Sequence, residues 1–334
     1  MMRTTTRTRG GLAALALAAV GLAAPQAGAE EMQLRTGFFM GERPSPYVTA
    51  YKRFIEEVNA TGEGQVRIVS YVGPESVQRN QWCNAVRSGI LDLIAVGPGL
   101  CNNLVKISEG LNGQTISFAE QRENGAYDFM REVWERDANS YFLGQFASGA
   151  RFHFFTDEPV ETLEDMKTVR MRNSATLRGT YEALGIDGVE VPLNQIYTSV
   201  ERGVLDGASL PFNVIEPLGL HEVVTHRVDP GFFNPVMMVL VNMDVWERMT
   251  EAQRTVLHDA AIKLETEFDE GFGETNEAMG AALLEKGITL VELPPADAER
   301  LQRTANDSLW AQIEESAPEE GPRMRSLIDP QSGS

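Results

Sequence analysis

Four histidines, two cysteines and a few glycine-rich turns are the residues of this 334-residue chain that invite a search for catalysis or metal binding. In His221-Glu-Val-Val-Thr-His226 the histidines are five apart. A zinc-binding helix needs four, so these rings point to different faces. Gly97-Pro-Gly-Leu-Cys-Asn102 follows an apolar run as a dinucleotide loop would, but Asn102 stands where the third glycine belongs, and there is no Gly-Lys-Ser/Thr phosphate loop. A Gly-x-Ser-x-Gly nucleophile elbow is also missing, and His153 and His258 are scattered. Cys83 and Cys101 are too few for a structural zinc site. They form either one disulfide or two buried thiols. A helix start near Cys83 and a strand end before Cys101 place both at one end of a sheet and favour the bridge. Neither an enzyme, a cofactor nor a metal is expected.

The elements that would position a site come next. At 43% hydrophobic and 23% charged, the composition is that of a globular protein with room for two domains. A formal net charge of -19 argues against a nucleic-acid or anionic-membrane face. Arg3, Arg7 and Arg9, the apolar run from Gly10 to Ala24, and Ala27-Gly28-Ala29 read as an export signal over residues 1–29, cleaved after Ala29. The mature protein is then periplasmic, an oxidising setting for the two cysteines. A strand over residues 32–39 precedes a helix capped by Ser45 and opened by Pro46. Its stripe of Tyr47, Tyr51, Phe54, Ile55 and Val58 stops at Gly62. Short strands over 66–72 and 91–96 alternate with helices, as in a parallel, doubly wound sheet. Val86-Arg-Ser-Gly-Ile-Leu-Asp92 returns as Val200-Glu-Arg-Gly-Val-Leu-Asp206, so two similar α/β units are expected. A helix from Thr250 to about Lys286 would run along both units. A last helix over about 296–315 leaves a polar, frayed tail.

Several stretches together resemble the DctP-type solute-binding proteins of TRAP (tripartite ATP-independent periplasmic) transporters, from about Leu34 to the last helix. They are Ser45-Pro46-Tyr47, Gly89-Ile-Leu-Asp92, Gly149-Ala-Arg151 with Thr156 and Pro159-Val160, Leu163-Glu-Asp-Met-Lys167 into Val169-Arg-Met-Arg172, Leu184-Gly185, Pro192, Gly203-Val-Leu-Asp206, and Asn242 with Trp246. The resemblance implies a bilobal, type II-like periplasmic-binding-protein fold of two doubly wound α/β lobes, joined by hinge strands and a long spanning helix. Lobe I would take 30–149 plus about 237–276, and lobe II 150–236 plus about 277–334. It also implies a carboxylate ligand and, as partners, the small and large membrane subunits of a TRAP permease, with no nucleic acid. An ABC-type binding protein, or an exported enzyme or sensor subunit on the same fold, are the alternatives.

The family's carboxylate-binding arginine matches Arg172, and a second cleft arginine matches Arg151. A planar guanidinium suits both oxygens of a carboxylate, which a lysine cannot do. Strand alternation leaves Arg170 as a competitor to Arg172. The other residues expected at the ligand are Phe38, Glu75, Phe154, Leu210, Asn213, Phe233 and Asn234. Gly97-Pro98 and Ser209-Leu210 replace polar residues of acid-sugar-binding relatives. The expectation is therefore an apolar or aromatic monocarboxylate, because a buried ligand hydroxyl without a partner costs on the order of 1–3 kcal/mol.

Overall fold

The structure, a computed structural model, describes residues 1–2, 31–42 and 45–330, the side chains of 175, 269 and 270 excepted. The expected signal's basic and apolar segments and its cleavage point lie outside the described residues. The chain runs β1 (Met32–Phe38), α1 (Pro46–Thr61), β2 (Val66–Val72), α2 (Trp82–Arg87), β3 (Leu93–Val96), α3 (Phe118–Glu123), α4 (Ala126–Ala138) and β4 (Ser140–Phe146). It continues through β5 (Phe152–Thr156), β6 (Arg170–Asn173), α5 (Arg178–Leu184), β7 (Asp187–Glu190), α6 (Ile196–Glu201), β8 (Gly207–Leu210), α7 (Phe212–Ile215) and β9 (His226–Phe233). The last elements are β10 (Met237–Asn242), α8 (Met243–Arg248), α9 (Glu251–Glu285), β11 (Thr289–Glu292), α10 (Pro295–Ser316) and α11 (Glu320–Ile328).

Local chemistry explains the main helices. Ser45 caps α1, its hydroxyl accepting from the Tyr47 amide, and Pro46 opens it. Tyr47, Tyr51, Phe54 and Val58 are buried, with Tyr47 stacked on Phe268 and Phe272 of α9. Thr250 and Gln253 form a capping box at the start of α9, whose 35 residues make a rod of about 50 Å. Two buried clusters fix it. Glu265, only 2% exposed, pairs with Arg122, accepts from Tyr127 Oη, and accepts the Gln145 amide at 3.1 Å. Further along, Arg227 donates to the Gly280 carbonyl at 3.4 Å.

Two sheets result, in the orders β2-β1-β3-β10-β4 and β11-β9-β5-β8-β6-β7. They are mixed rather than wholly parallel. β10 runs antiparallel to β3 and β4, and β5 antiparallel to β8 and β9. The chain crosses from the first sheet to the second after β4 and returns after β9, so one strand in each sheet is entered from the opposite end. The two crossings are tied where Asn234 Oδ1 accepts the Gly149 amide at 2.7 Å. Ala147 at φ 77 and Gly149 at φ 92 take left-handed backbone there, a conformation an alanine adopts only at a cost of about 1–2 kcal/mol. Cys83 and Cys101 are joined by a disulfide, both buried, with Cα atoms 5.4 Å apart. The tail after α10 is a correction to the frayed end expected. α11 buries Met324 and Ile328, and Asp329 accepts from Thr115 and Asn306.

Candidate functional site

The repeated Gly-x-Leu-Asp segments show what the second sheet offers a ligand. Gly89 and Gly203 both end helices in left-handed backbone, φ 72 and 67. Each following aspartate then holds an arginine of a neighbouring strand. Asp92 accepts the Arg35 amide at 2.7 Å, Nε at 2.9 Å and Nη2 at 2.8 Å. Asp206 accepts the Arg170 amide at 2.7 Å and Nε at 3.0 Å, with Nη2 on its other oxygen. Arg170, the competitor for the ligand role, is thereby committed to a structural clasp.

Two residues beyond each clasped arginine the sheets diverge. In the first sheet that position is Gly37, where a Cβ would fall 2.7 Å from the Trp82 ring. In the second it is Arg172, beside Ala208 of β8. Its Nε donates to the Val191 carbonyl at 3.2 Å, and no carboxylate among the described residues pairs with it. Burial, reinforced by the charge of Arg79 and opposed by the Tyr181 phenol, holds its pKa below the usual guanidinium value. An anion placed here would relieve that penalty.

Strand direction gathers part of the expected set at one edge. The C-terminal ends of β6, β8 and β9 and the N-terminal end of β5 bring together Arg172, Leu210, Phe233, Asn234 and Arg151. Arg151 is exposed and donates to the Gly231 carbonyl at 3.5 Å. Phe233 packs edge-on against Phe152 at 5.2 Å. Asn234 is spent on the crossing described above. Glu75 is exposed and accepts the Gly73 amide at 2.7 Å; bonds from backbone amides hold its carboxyl below the usual range.

Other expected contacts are corrected by packing. Phe38 is fully buried against Tyr51 and Phe146, and Phe154 is fully buried against Phe232, because strand alternation turns both inward. Leu210 is 3% exposed and belongs to the core with Phe155 and Ile215. Asn213 lines a different groove, along α9, that contains neither Arg172 nor Arg151.

Residues not anticipated supply the other parts. Phe39, half-buried, carries Arg79 over its ring at 5.6 Å, and both Phe39 and Met237 lie 3.9 Å from where a Cβ on Gly97 would be. The Phe-Phe doublet signalled an aromatic at this edge but not which ring faces outward. His153 donates from Nδ1 to Asp229 at 2.7 Å, and Arg227 pairs with the same carboxylate at 3.0 Å. Burial raises the Asp229 pKa, but these two partners outweigh it and hold the group below the usual range.

Two α/β sheets joined by crossing strands and one long helix, with a half-buried guanidinium at the strand ends that no carboxylate among the described residues pairs, define a two-lobed solute receptor. The model of the DctP family, bacterial extracellular solute-binding protein family 7, matches residues 40–316, and the chain belongs to that family of TRAP-type solute-binding proteins, which are not enzymes. A solute-binding protein of Roseobacter denitrificans is 23% identical over 322 residues, covering 94% of this chain and 96% of its own. A Roseobacter denitrificans TRAP periplasmic solute binding protein, solved with bound L-galactonate, shares the fold with a TM-score of 0.69 at 19% identity, over 90% of this chain and 99% of that one. One from Desulfovibrio salexigens with bound orotic acid has a TM-score of 0.76 at 17% identity, over 91% and 99%.

Proposed function

We propose that this protein captures a monocarboxylate with an apolar or aromatic body between its lobes and delivers it to the small and large membrane subunits of a TRAP permease. The observation that carries the reading is Arg172, half-buried and without a carboxylate partner among the described residues, where Arg170 on the same strand is held by Asp206. In the periplasm, closure over the ligand would complete the ion pair. Lobe I would comprise 30–149 plus about 237–276, and lobe II 150–236 plus about 277–334. Arg151 is the second cation at that edge.

The side chains around this cation favour few ligand hydroxyls. The Ser209 hydroxyl is occupied by Tyr181 Oη at 2.6 Å, and Leu210 points into the core. Across the cleft, Phe39, Met237 and Gly97 offer an apolar wall. Of the two solved ligands named above, orotic acid, a flat ring bearing a carboxylate, is nearer to this class than L-galactonate.

Calorimetric titration with phenylacetate, benzoate and gluconate tests both parts. The aromatic acids should bind more tightly, and Arg172→Lys should weaken them at least about tenfold, or about 1.4 kcal/mol, with an unchanged melting temperature for the free protein. Unaltered affinity in Arg172→Lys would remove the carboxylate clamp. Tighter binding of gluconate would remove the apolar preference.

A further inference from the structure

A groove of about 1090 Å³ runs along α9, walled by α1 and α7. Its lining is strongly apolar, with Phe54, Phe212, Phe268 and Phe272 among the side chains. Around them stand Glu56, Glu57, Glu216 and Glu267 with Arg53 and Lys263, and Glu216 is paired with Lys286 at 3.2 Å, which leaves the acids in excess. Lys263 is already held by Glu57 at 2.5 Å. A negatively charged guest is therefore disfavoured here, in contrast to the edge that carries Arg172.

One polar side chain in this lining has no role in the fold. Asn213 is 7% exposed, and neither its Nδ2 nor its Oδ1 has a hydrogen-bond partner among the described residues. A carboxamide can donate two hydrogen bonds and accept two, so burying it with none made opposes folding. Buried polar atoms left unpaired in this way are rare and call for a missing partner. The complement of one amide is another, whose carbonyl accepts from Nδ2 while its N–H donates to Oδ1.

We propose that this groove is a second ligand site, taking a small uncharged amide, either a primary carboxamide or a lactam, on an apolar body. The body lies on the apolar floor of the groove, where Ala50, Met279 and Ala282 cover the buried phenylalanines, and the head pairs with Asn213. Asn213 lines the groove, and no hydrogen bond has to break for it to pair with the guest.

Benzamide, benzoate and benzylamine carry the same ring on a neutral, an anionic and a cationic head, and each can be titrated into the ¹⁵N-labelled full chain. Benzamide should shift the amides of Thr49, Arg53 and Thr275 in the groove, with at least tenfold tighter binding there than benzoate. Asn213→Leu, which removes the pairing groups at similar volume, should weaken benzamide at least tenfold while raising the melting temperature. Thr49→Trp, at an exposed position of the opposite wall, should block the groove with Asn213 intact. Repeating the benzamide titration in Arg172→Lys separates this site from the carboxylate site, since the groove shifts should persist. The proposal is overturned if those shifts vanish in Arg172→Lys, if Asn213→Leu binds benzamide like the wild type, or if benzylamine binds the groove as tightly as benzamide.

Discussion

Arg170 and Arg172 share one face of a four-residue strand, and among the described residues only Arg170 has a carboxylate. Arg170→Lys should therefore lower the melting temperature by loosening the clasp on Asp206, and leave carboxylate affinity within about twofold. A tenfold loss of affinity in that variant would transfer the ligand role to Arg170. Strand alternation could not separate these two residues, because what distinguishes them is Asp206, 36 residues further on. The same limit applied to Phe38 and Phe39, where a shift of one residue exchanges core for surface. A third residue makes pH a probe of the fold. His258, against Tyr141 and Trp246, is pushed down to about 4 by burial, with the charge of Arg131 adding to it. The unfolded chain, with an ordinary histidine near 6.5, binds the proton that the folded protein refuses. Stability should thus decline as pH falls from about 6.5 toward 4, by about 1–2 kcal/mol after allowing for partial exposure. His258→Phe should flatten that slope in urea titrations, and an unchanged slope would assign it to other groups.

At the scale of elements, the repeat was legible as a helix ending on glycine before a strand, but its purpose was not. The arginines it serves lie 57 and 36 residues upstream, on other strands. Asp92→Ala should cost about 1–3 kcal/mol in chemical denaturation, since it strands the Arg35 amide as well as its side chain; a neutral result would make the clasp ornamental. The disulfide offers a second test beside the first sheet. It closes a separation of 18 residues between α2 and the turn after β3. Replacing both cysteines by alanine should destabilise by about 3 kcal/mol on the chain-entropy account, and intact mass with and without reduction should differ by two hydrogens. α11 escaped the sequence reading because its charged surface reads as solvent-facing. What orders it is Met324 and Ile328, buried in the core that also holds Trp310, and a partner, Thr115, more than 200 residues away.

For the whole molecule, alternating strands and helices, the repeat and one overlong helix were enough to read two lobes. The antiparallel strands β5 and β10 were not legible, since each pairs with neighbours contributed by distant parts of the chain. β10 carries a consequence for how the protein is made. It is the fourth strand of the first sheet, wedged between β3 and β4, yet it is the last of the five to emerge. At roughly 5–20 residues per second, synthesis reaches Asn242 only after about 10–50 s. Until then β3 and β4 face each other across an empty lane, and the lobe that begins the chain cannot be finished. A fragment of residues 31–149 should accordingly lack a cooperative melting transition and fall quickly to protease, and a sharply melting fragment would show that β10 is dispensable. For an exported protein this delay is useful: the leading half stays unlocked, and so able to thread a narrow passage, until the segment that seals it has arrived.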